Sequence, residues 1–322
     1  MIKKVIKNEI LKGRGFGKFL RFSYEWKTLL KSFFSKNVLK SVHIQFTNNC
    51  NLNCKWCSLK KGNEIMDEKL LIKIMDELKS FNIKEINLWN GGESLLHPNL
   101  INLLKIIKKY KNFKVNFLTN GLLLNKKLSK QIIDLNLVDS FGFSIDGGSK
   151  QGYEKLRSGA KWDILKKNLL DFVKLNKNIE TYIICVISPE KPLDISWMKP
   201  EFKYLLNLVD YYRLTYPETF PGGPKPSGYV NNNFIKSNKR ICLALVQGIV
   251  ILQNGDVLPC CEDLNGKCVL GNINKQNLIS IFNSKKRKQM IKLFLKGEKY
   301  KIPLCKNCNR FNIKTIIKKK NK

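Results

Sequence analysis

Between residues 41 and 217 the chain repeats one pattern six times, and that repetition limits the folds open to it. Short β-branched or aromatic runs, "SVHIQF", "EINLW", "KVNFLTN", "DSFGFSI", "TYIICVI" and "VDYYRLTY", read as strands. Between them "MDEKLLIKIMDELKSF", "LINLLKIIKKY", "KKLSKQIIDLN" and "DILKKNLLDFVKLN" carry apolar residues at three- and four-residue spacing, the pattern of amphipathic helices. Strand and helix in alternation build a parallel sheet. Six such strands suit a partial α/β barrel of the (β/α)6, TIM-like kind, with its chemistry at the C-terminal strand ends. That rule puts four unusual loops on one rim: "TNNCNLNCKWC", "NGGES", "TNG" and "SIDGG".

Outside that region the pattern changes. Residues 1–40 alternate aromatics with lysines and form a basic amphipathic extension. Residues 218–241 are rich in Pro, Gly and Asn, as in a linker or lid. A small cysteine-bearing module follows over 242–312, and 313–322 is a basic tail of low complexity. The domain reading is therefore extension, barrel core 41–217, linker, cysteine module and tail. No apolar run approaches a membrane span, and "MIKKVIKNEILKGRGFGKF" has charges where a signal peptide would be apolar. The expected location is the cytoplasm, where clustered cysteines serve as metal ligands or catalytic thiols more often than as disulfides.

The formal net charge is +34, nearly all of it lysine; arginine occurs only at Arg14, Arg21, Arg157, Arg213, Arg240, Arg287 and Arg310. Lysine, asparagine and isoleucine abound together, as an AT-rich genome would produce. An anionic substrate or membrane surface is the functional alternative, and nucleic acid ranks last because arginine forks and exposed aromatics are scarce.

Three of the ten cysteines, Cys50, Cys54 and Cys57, stand within one loop. A structural zinc site wants four ligands, whereas a cubane iron–sulfur cluster held by three cysteines leaves one iron open for a reactant. No fourth ligand stands nearby. Cys185 is far along the chain, His43 reads as a packed strand residue, and His97 as a residue that caps or lines its loop.

The spacing of Cys50, Cys54 and Cys57, with Trp56 before the last, resembles the CxxxCx(aromatic)C signature of the radical S-adenosylmethionine (radical SAM) superfamily. Gly91, Gly92 and Glu93 resemble its Gly-Gly-Glu loop, although Ser94 follows where most relatives carry proline. The resemblance implies a radical SAM barrel. Its three cysteines would hold a [4Fe–4S] cluster whose open iron chelates S-adenosylmethionine, with Trp56 near the adenine. Glu93 would receive the methionine ammonium, and Gly91 and Gly92 would let the backbone approach the ligand. "FSIDGGSKQGYEKLRSG" is similar to the fourth-strand segment of members carrying SPASM or twitch modules, which makes Ser144 and Arg157 candidate contacts to the ribose or carboxylate. Asp146 reads as a turn former, with a substrate contact as the alternative.

The C-terminal module resembles the twitch version of SPASM. By that resemblance Cys242, Cys260, Cys305 and Cys308 would hold one auxiliary [4Fe–4S] cluster. Cys261 and Cys268 leave the ligand set open, and zinc held by four thiolates competes on spacing alone. Members of this kind generate a 5′-deoxyadenosyl radical and abstract hydrogen, with a small electron donor such as flavodoxin or ferredoxin as partner. The auxiliary cluster points to a net oxidation. The 40 residues before the first strand are short for a leader-recognition domain, which favours a small molecule or glycan precursor over a peptide. A radical SAM peptide or protein maturase is the alternative. A non-catalytic basic metal-binding protein is a third reading, which leaves the three-cysteine loop unexplained. The aromatic and lysine pattern of the extension also suits peripheral contact with an anionic membrane.

Overall fold

A computed structural model of the chain describes residues 38–217, 242–306, 308 and 315–319. The N-terminal extension up to residue 37 and the linker at 218–241 lie outside them, so the membrane reading of the extension does too.

In chain order the strands are β1 (Ser41–Ile44), the two-residue β2 (Asn53–Cys54), β3 (Glu85–Leu88), β4 (Lys114–Thr119), β5 (Ser140–Ser144), the two-residue β6 (Arg157–Ser158), β7 (Glu180–Val186) and β8 (Tyr211–Thr215). The C-terminal part adds β9 (Gly248–Ile251), β10 (Asp256–Leu258), β11 (Gly271–Asn272) and β12 (Thr315–Lys319). All six predicted barrel strands are present and run parallel in the order β1-β3-β4-β5-β7-β8. The four predicted helices form as Glu68–Leu78, Leu100–Lys108, Lys126–Asp134 and Trp162–Leu175. Two further helices, Lys150–Leu156 and Pro200–Leu208, complete the alternation.

The sheet does not stop where the barrel sequence ends. β9 pairs parallel with β1, β10 and β11 follow it antiparallel, and β12 pairs antiparallel with β8, giving one sheet of ten strands. The cysteine module is thus built onto one edge of the barrel sheet, and part of the basic tail onto the other.

Alternation along each strand sorts residues to two faces. Val42, Ile44, Ile86, Leu88, Val115, Phe117, Phe141 and Phe143 are buried in the main core. Phe141 lies between Phe117 and Phe172, with ring centroids at 5.1 and 4.4 Å, which anchors the helix Trp162–Leu175 to the sheet. The opposite face lines an interior cavity of about 800 Å³, bordered by Ser41, His43, Asn87, Trp89, Asn116, Ser140, Tyr182 and Arg213 among others. Its polar layer is internally bonded: Asn87 Nδ2 donates to Ser41 Oγ (2.9 Å), Asn116 Nδ2 to Asn87 Oδ1 (2.9 Å) and Ser140 Oγ to Asn116 Oδ1 (2.8 Å).

Candidate functional site

The four sequence-marked loops do fall on one rim, because β1, β3, β4 and β5 are parallel neighbours. The cysteine loop is tied down on three sides. Through β2 and β6, Cys54 is the register partner of Arg157, and the Lys55 N–H donates to the Leu156 carbonyl at 2.8 Å. Asn120 Nδ2 donates to Asn51 Oδ1 at 2.8 Å. From the C-terminal module Asn265 accepts from the Lys60 N–H (2.7 Å) and donates to the Ser58 carbonyl (2.8 Å).

All ten cysteines lie among the described residues, and none is paired in a disulfide. Cys50 and Cys54 are half-buried and Cys57 is exposed. Burial pushes the Cys50 thiol up, and pushes Cys54 to about 11, with Arg157 working against it and Asp146, Cys57 and Cys50 adding to it. Thiols held neutral by desolvation beside one another are converted to thiolates by a bound cation. Two further features fit a ligand on this rim. The Trp56 Nε1 and both side-chain polar atoms of Asn90 are buried without a hydrogen-bond partner, a costly state that a bound group would relieve.

Gly91 and Gly92 have φ of 81° and 75°. A Cβ on Gly92 would stand 2.1 Å from the Thr47 carbonyl oxygen, so backbone here packs on backbone. The Glu93 N–H donates to the Asn49 carbonyl at 2.8 Å in the same contact. Gly92 therefore serves the closeness of two loops, a reason internal to the fold. Changing Gly92→Ala should cost on the order of 3 kcal/mol, from the left-handed φ and from overlap with an oxygen that cannot move cheaply. Chemical denaturation would measure this; a loss below about 1 kcal/mol would show that the loops part easily.

Glu93 is 3% exposed, and protein donors already hold its carboxylate. Oε1 accepts from Thr119 Oγ1 (2.7 Å) and the Leu95 N–H (3.1 Å), and Oε2 from the Asn120 N–H (2.8 Å). Burial raises its pKa against those three donors. Oε2, with one donor, retains acceptor capacity. Ser94 takes the proline's place by starting a short 3-10 turn, and its hydroxyl donates to the Leu88 carbonyl at 3.3 Å.

Of the fourth-strand residues, Arg157 joins the cysteine loop: its Nη1 points at Cys54 Sγ from 3.9 Å. Ser144 ends β5 half-buried on the same rim. Asp146 departs from the turn-forming reading. It is 3% exposed; Oδ2 lies 2.8 Å from Arg157 Nε, and Oδ1 accepts from the Val186 N–H at 2.7 Å. Burial works against the charge on Arg157, but Asp146 more than offsets it and leaves the guanidinium's pKa raised. His97 is structural, as its reading anticipates: Nε2 donates to the Met66 carbonyl (2.9 Å) and Nδ1 accepts from the Asn99 N–H (3.2 Å). His43 instead lines the interior cavity, with Nδ1 3.0 Å from the Trp89 carbonyl and its ring edge-on to Trp89.

The second constellation assembles around Cys260 and Cys305. A hydrogen bond with Cys261 and burial push the Cys260 thiol well up, with Cys242 adding to the effect. Burial raises Cys305, and Cys242, Cys308 and Cys268 add to it. The four cysteines that the resemblance implies as ligands thus lie within electrostatic reach of Cys260 or Cys305, and so does Cys268. The Glu262 N–H donates to Cys260 Sγ at 3.4 Å. Among the described residues no three His, Cys, Asp or Glu side chains converge closely enough to hold a single metal ion.

Comparison with known proteins agrees with this geometry. The radical SAM superfamily model matches residues 44–195, and an iron–sulfur cluster-binding domain, SPASM, matches 242–309. The chain is 24% identical over 284 residues to the S-adenosyl-L-methionine-dependent 2-deoxy-scyllo-inosamine dehydrogenase of Niallia circulans, covering 85% of this chain and 94% of that protein. The crystal structure of BtrN in complex with AdoMet and 2-DOIA superposes with a TM-score of 0.55 at 22% identity, over 85% of this chain and 94% of that one. Streptococcus suis SuiB bound to precursor peptide SuiA gives 0.62 at 16% identity, over 82% and 68%. The chain carries a radical SAM domain over residues 44–195, followed by a SPASM iron–sulfur cluster-binding domain over 242–309.

Proposed function

We propose that the protein is a radical SAM oxidoreductase that carries out a net oxidation of a small molecule or glycan precursor. The observation that carries the small-molecule reading is the interior cavity of about 800 Å³. It runs beneath the rim, is bordered by Trp89 above, and reaches Cys260, Cys261 and Glu262 of the second constellation. A space of that size suits a compact ligand. The likeness to the Niallia circulans dehydrogenase over nearly its whole length supports the same reading.

When bound, a reduced [4Fe–4S] cluster with one open iron supplies the electron that splits S-adenosylmethionine into methionine and a 5′-deoxyadenosyl radical. Cys50, Cys54 and Cys57 would hold that cluster. Trp56, Gly91, Gly92, Glu93, Ser144 and Arg157 would orient the cosubstrate: Oε2 of Glu93 keeps room for an ammonium, and Arg157 is a fixed cation for a carboxylate. Cys242, Cys260, Cys305 and Cys308 would hold one auxiliary [4Fe–4S] cluster, the group that makes a two-electron oxidation available. The packed sheet and the tied-down loop fix the geometry. The net charge of +34 suits an acidic electron donor such as flavodoxin or ferredoxin, and equally suits contact between residues 1–40 and an anionic membrane. Among the described residues no helix is long and apolar enough to cross a membrane.

Peptide or protein maturation is the second reading. It is favoured by the likeness to peptide-bound SuiB, a likeness of fold at 16% identity. Deuterium transfer separates the two. Perdeuterated aminocyclitols and sugars, or peptides, are supplied with S-adenosylmethionine, and deuterium is sought in 5′-deoxyadenosine. Transfer from a small molecule is the expected result; transfer from peptides alone would establish the maturase.

A further inference from the structure

Arg213 has no role in the site described above, yet its surroundings are unusual. It lies in the middle of β8 and faces the interior cavity. Its Nε is buried without a hydrogen-bond partner, and no carboxylate of the described residues stands within ion-pair distance. The side chain is half-buried, and a buried guanidinium N–H without an acceptor is a group that a bound anion would satisfy. Arg287, a fully buried arginine, shows the contrast. Its Nε and both Nη groups donate to the carbonyls of Leu245, Phe282 and Val246 at 3.1, 3.0 and 2.6 Å, and it stacks on Phe282.

Register places Arg213 at a useful height. Ser144 pairs with Ile184, and Ile184 with Arg213, so Arg213 stands level with the end of β5 that carries the rim chemistry. The cavity's acidic residue on the neighbouring strand, Glu180, lies four residues below Ile184, about 13 Å down the strand. One row beneath Arg213, Tyr182 and Tyr211 stack at 5.1 Å with ring planes 6° apart. The Tyr182 ring lies flat because Gly142 offers no side chain: a Cβ there would stand 2.2 Å from it. The upper cavity thus presents one unpaired guanidinium over an aromatic floor, with Trp89 on its wall.

Building on the small-molecule reading, we propose that Arg213 anchors the substrate and that the substrate carries an oxyanion, either a phosphate or a carboxylate. A planar guanidinium binds both bidentately. The anion docks on Arg213 and the rest of the molecule lies between the tyrosine floor and the rim.

The test uses cluster-loaded protein and three probes sharing one carbon skeleton: glycerol 3-phosphate, glycerate and glycerol, at matched ionic strength. Either or both anionic probes should raise the Tm of the wild type by about 2–4 °C, glycerol should not, and Arg213→Gln should lose at least half of the rise. A phosphate-only or carboxylate-only response supports the proposal and names the anion. Equal shifts in wild type and Arg213→Gln, as a generally basic surface would give, or no shift in either, would overturn it. Arg213→Met without probe should melt at or above the wild-type temperature, because an unpaired charge has been removed; marked destabilisation would make Arg213 a structural residue and also overturn the proposal. Cleavage of S-adenosylmethionine by the wild type in the same preparation reports on the radical reading separately, so either can fail alone.

Discussion

Replacing Cys50, Cys54 and Cys57 together by alanine is expected to halve the iron of the anaerobically reconstituted protein, from about eight per chain to about four, and to abolish cleavage of S-adenosylmethionine. The remainder is expected because the C-terminal cysteines form a separate constellation: the cysteines that chiefly influence Cys260 and Cys305 are Cys242, Cys308, Cys268 and Cys261. The fold should survive. The loop is fixed by the β2–β6 pair, by Asn120 on Asn51 and by Asn265 on Ser58 and Lys60, none of which uses a thiol. Iron and sulfide analysis checks the first part and quantified 5′-deoxyadenosine the second. Loss of all iron would show that the two constellations depend on each other.

Asp146→Ala is the second large effect. The side chains of Asp146 and Arg157 are 4% and 13% exposed, so removing the carboxylate leaves a buried guanidinium without its anion. Breaking such a pair costs about 3–5 kcal/mol, whereas replacing both members by apolar residues can be nearly neutral. Asp146→Ala should therefore lose about that much in chemical denaturation, and combining it with Arg157→Met should restore a large part. A spectroscopic consequence accompanies it: Arg157 points at Cys54 from 3.9 Å, so releasing it should shift the reduction potential of a cluster held there. A single variant within about 1 kcal/mol of wild type, with an unchanged potential, would mean that Asp146 serves only its turn.

The barrel was legible because its signals are local. Val42, Ile44, Ile86, Leu88 and Phe141 alternate with residues facing the cavity, and that period of two shows without knowledge of any partner. The rim was legible for a related reason, since parallel order brings the loops after β1, β3, β4 and β5 together wherever the helices pack. What escaped depends on partners distant in sequence. β2 and β6 are two residues each and exist only because Cys54 meets Arg157. The strand "TIIKK" of β12 reads as basic low complexity until β8 offers an edge to pair with. β9 carries the apolar run of a strand, but nothing in "GIVI" names β1 as its neighbour. Asp146 beside two glycines carries the local signature of a turn, and its partnership with Arg157 is set by the tertiary fold. The sequence leaves Cys268 open as a ligand, and only the fold brings it within electrostatic reach of Cys305.

The most direct measurement is anaerobic incubation of the reconstituted wild type with S-adenosylmethionine and dithionite, followed by quantification of 5′-deoxyadenosine and metal. Time-dependent 5′-deoxyadenosine with iron and sulfide bound is the predicted result. Zinc in place of iron, with no 5′-deoxyadenosine, would contradict the radical assignment and make the cysteine sites those of a metal-stabilised binding protein.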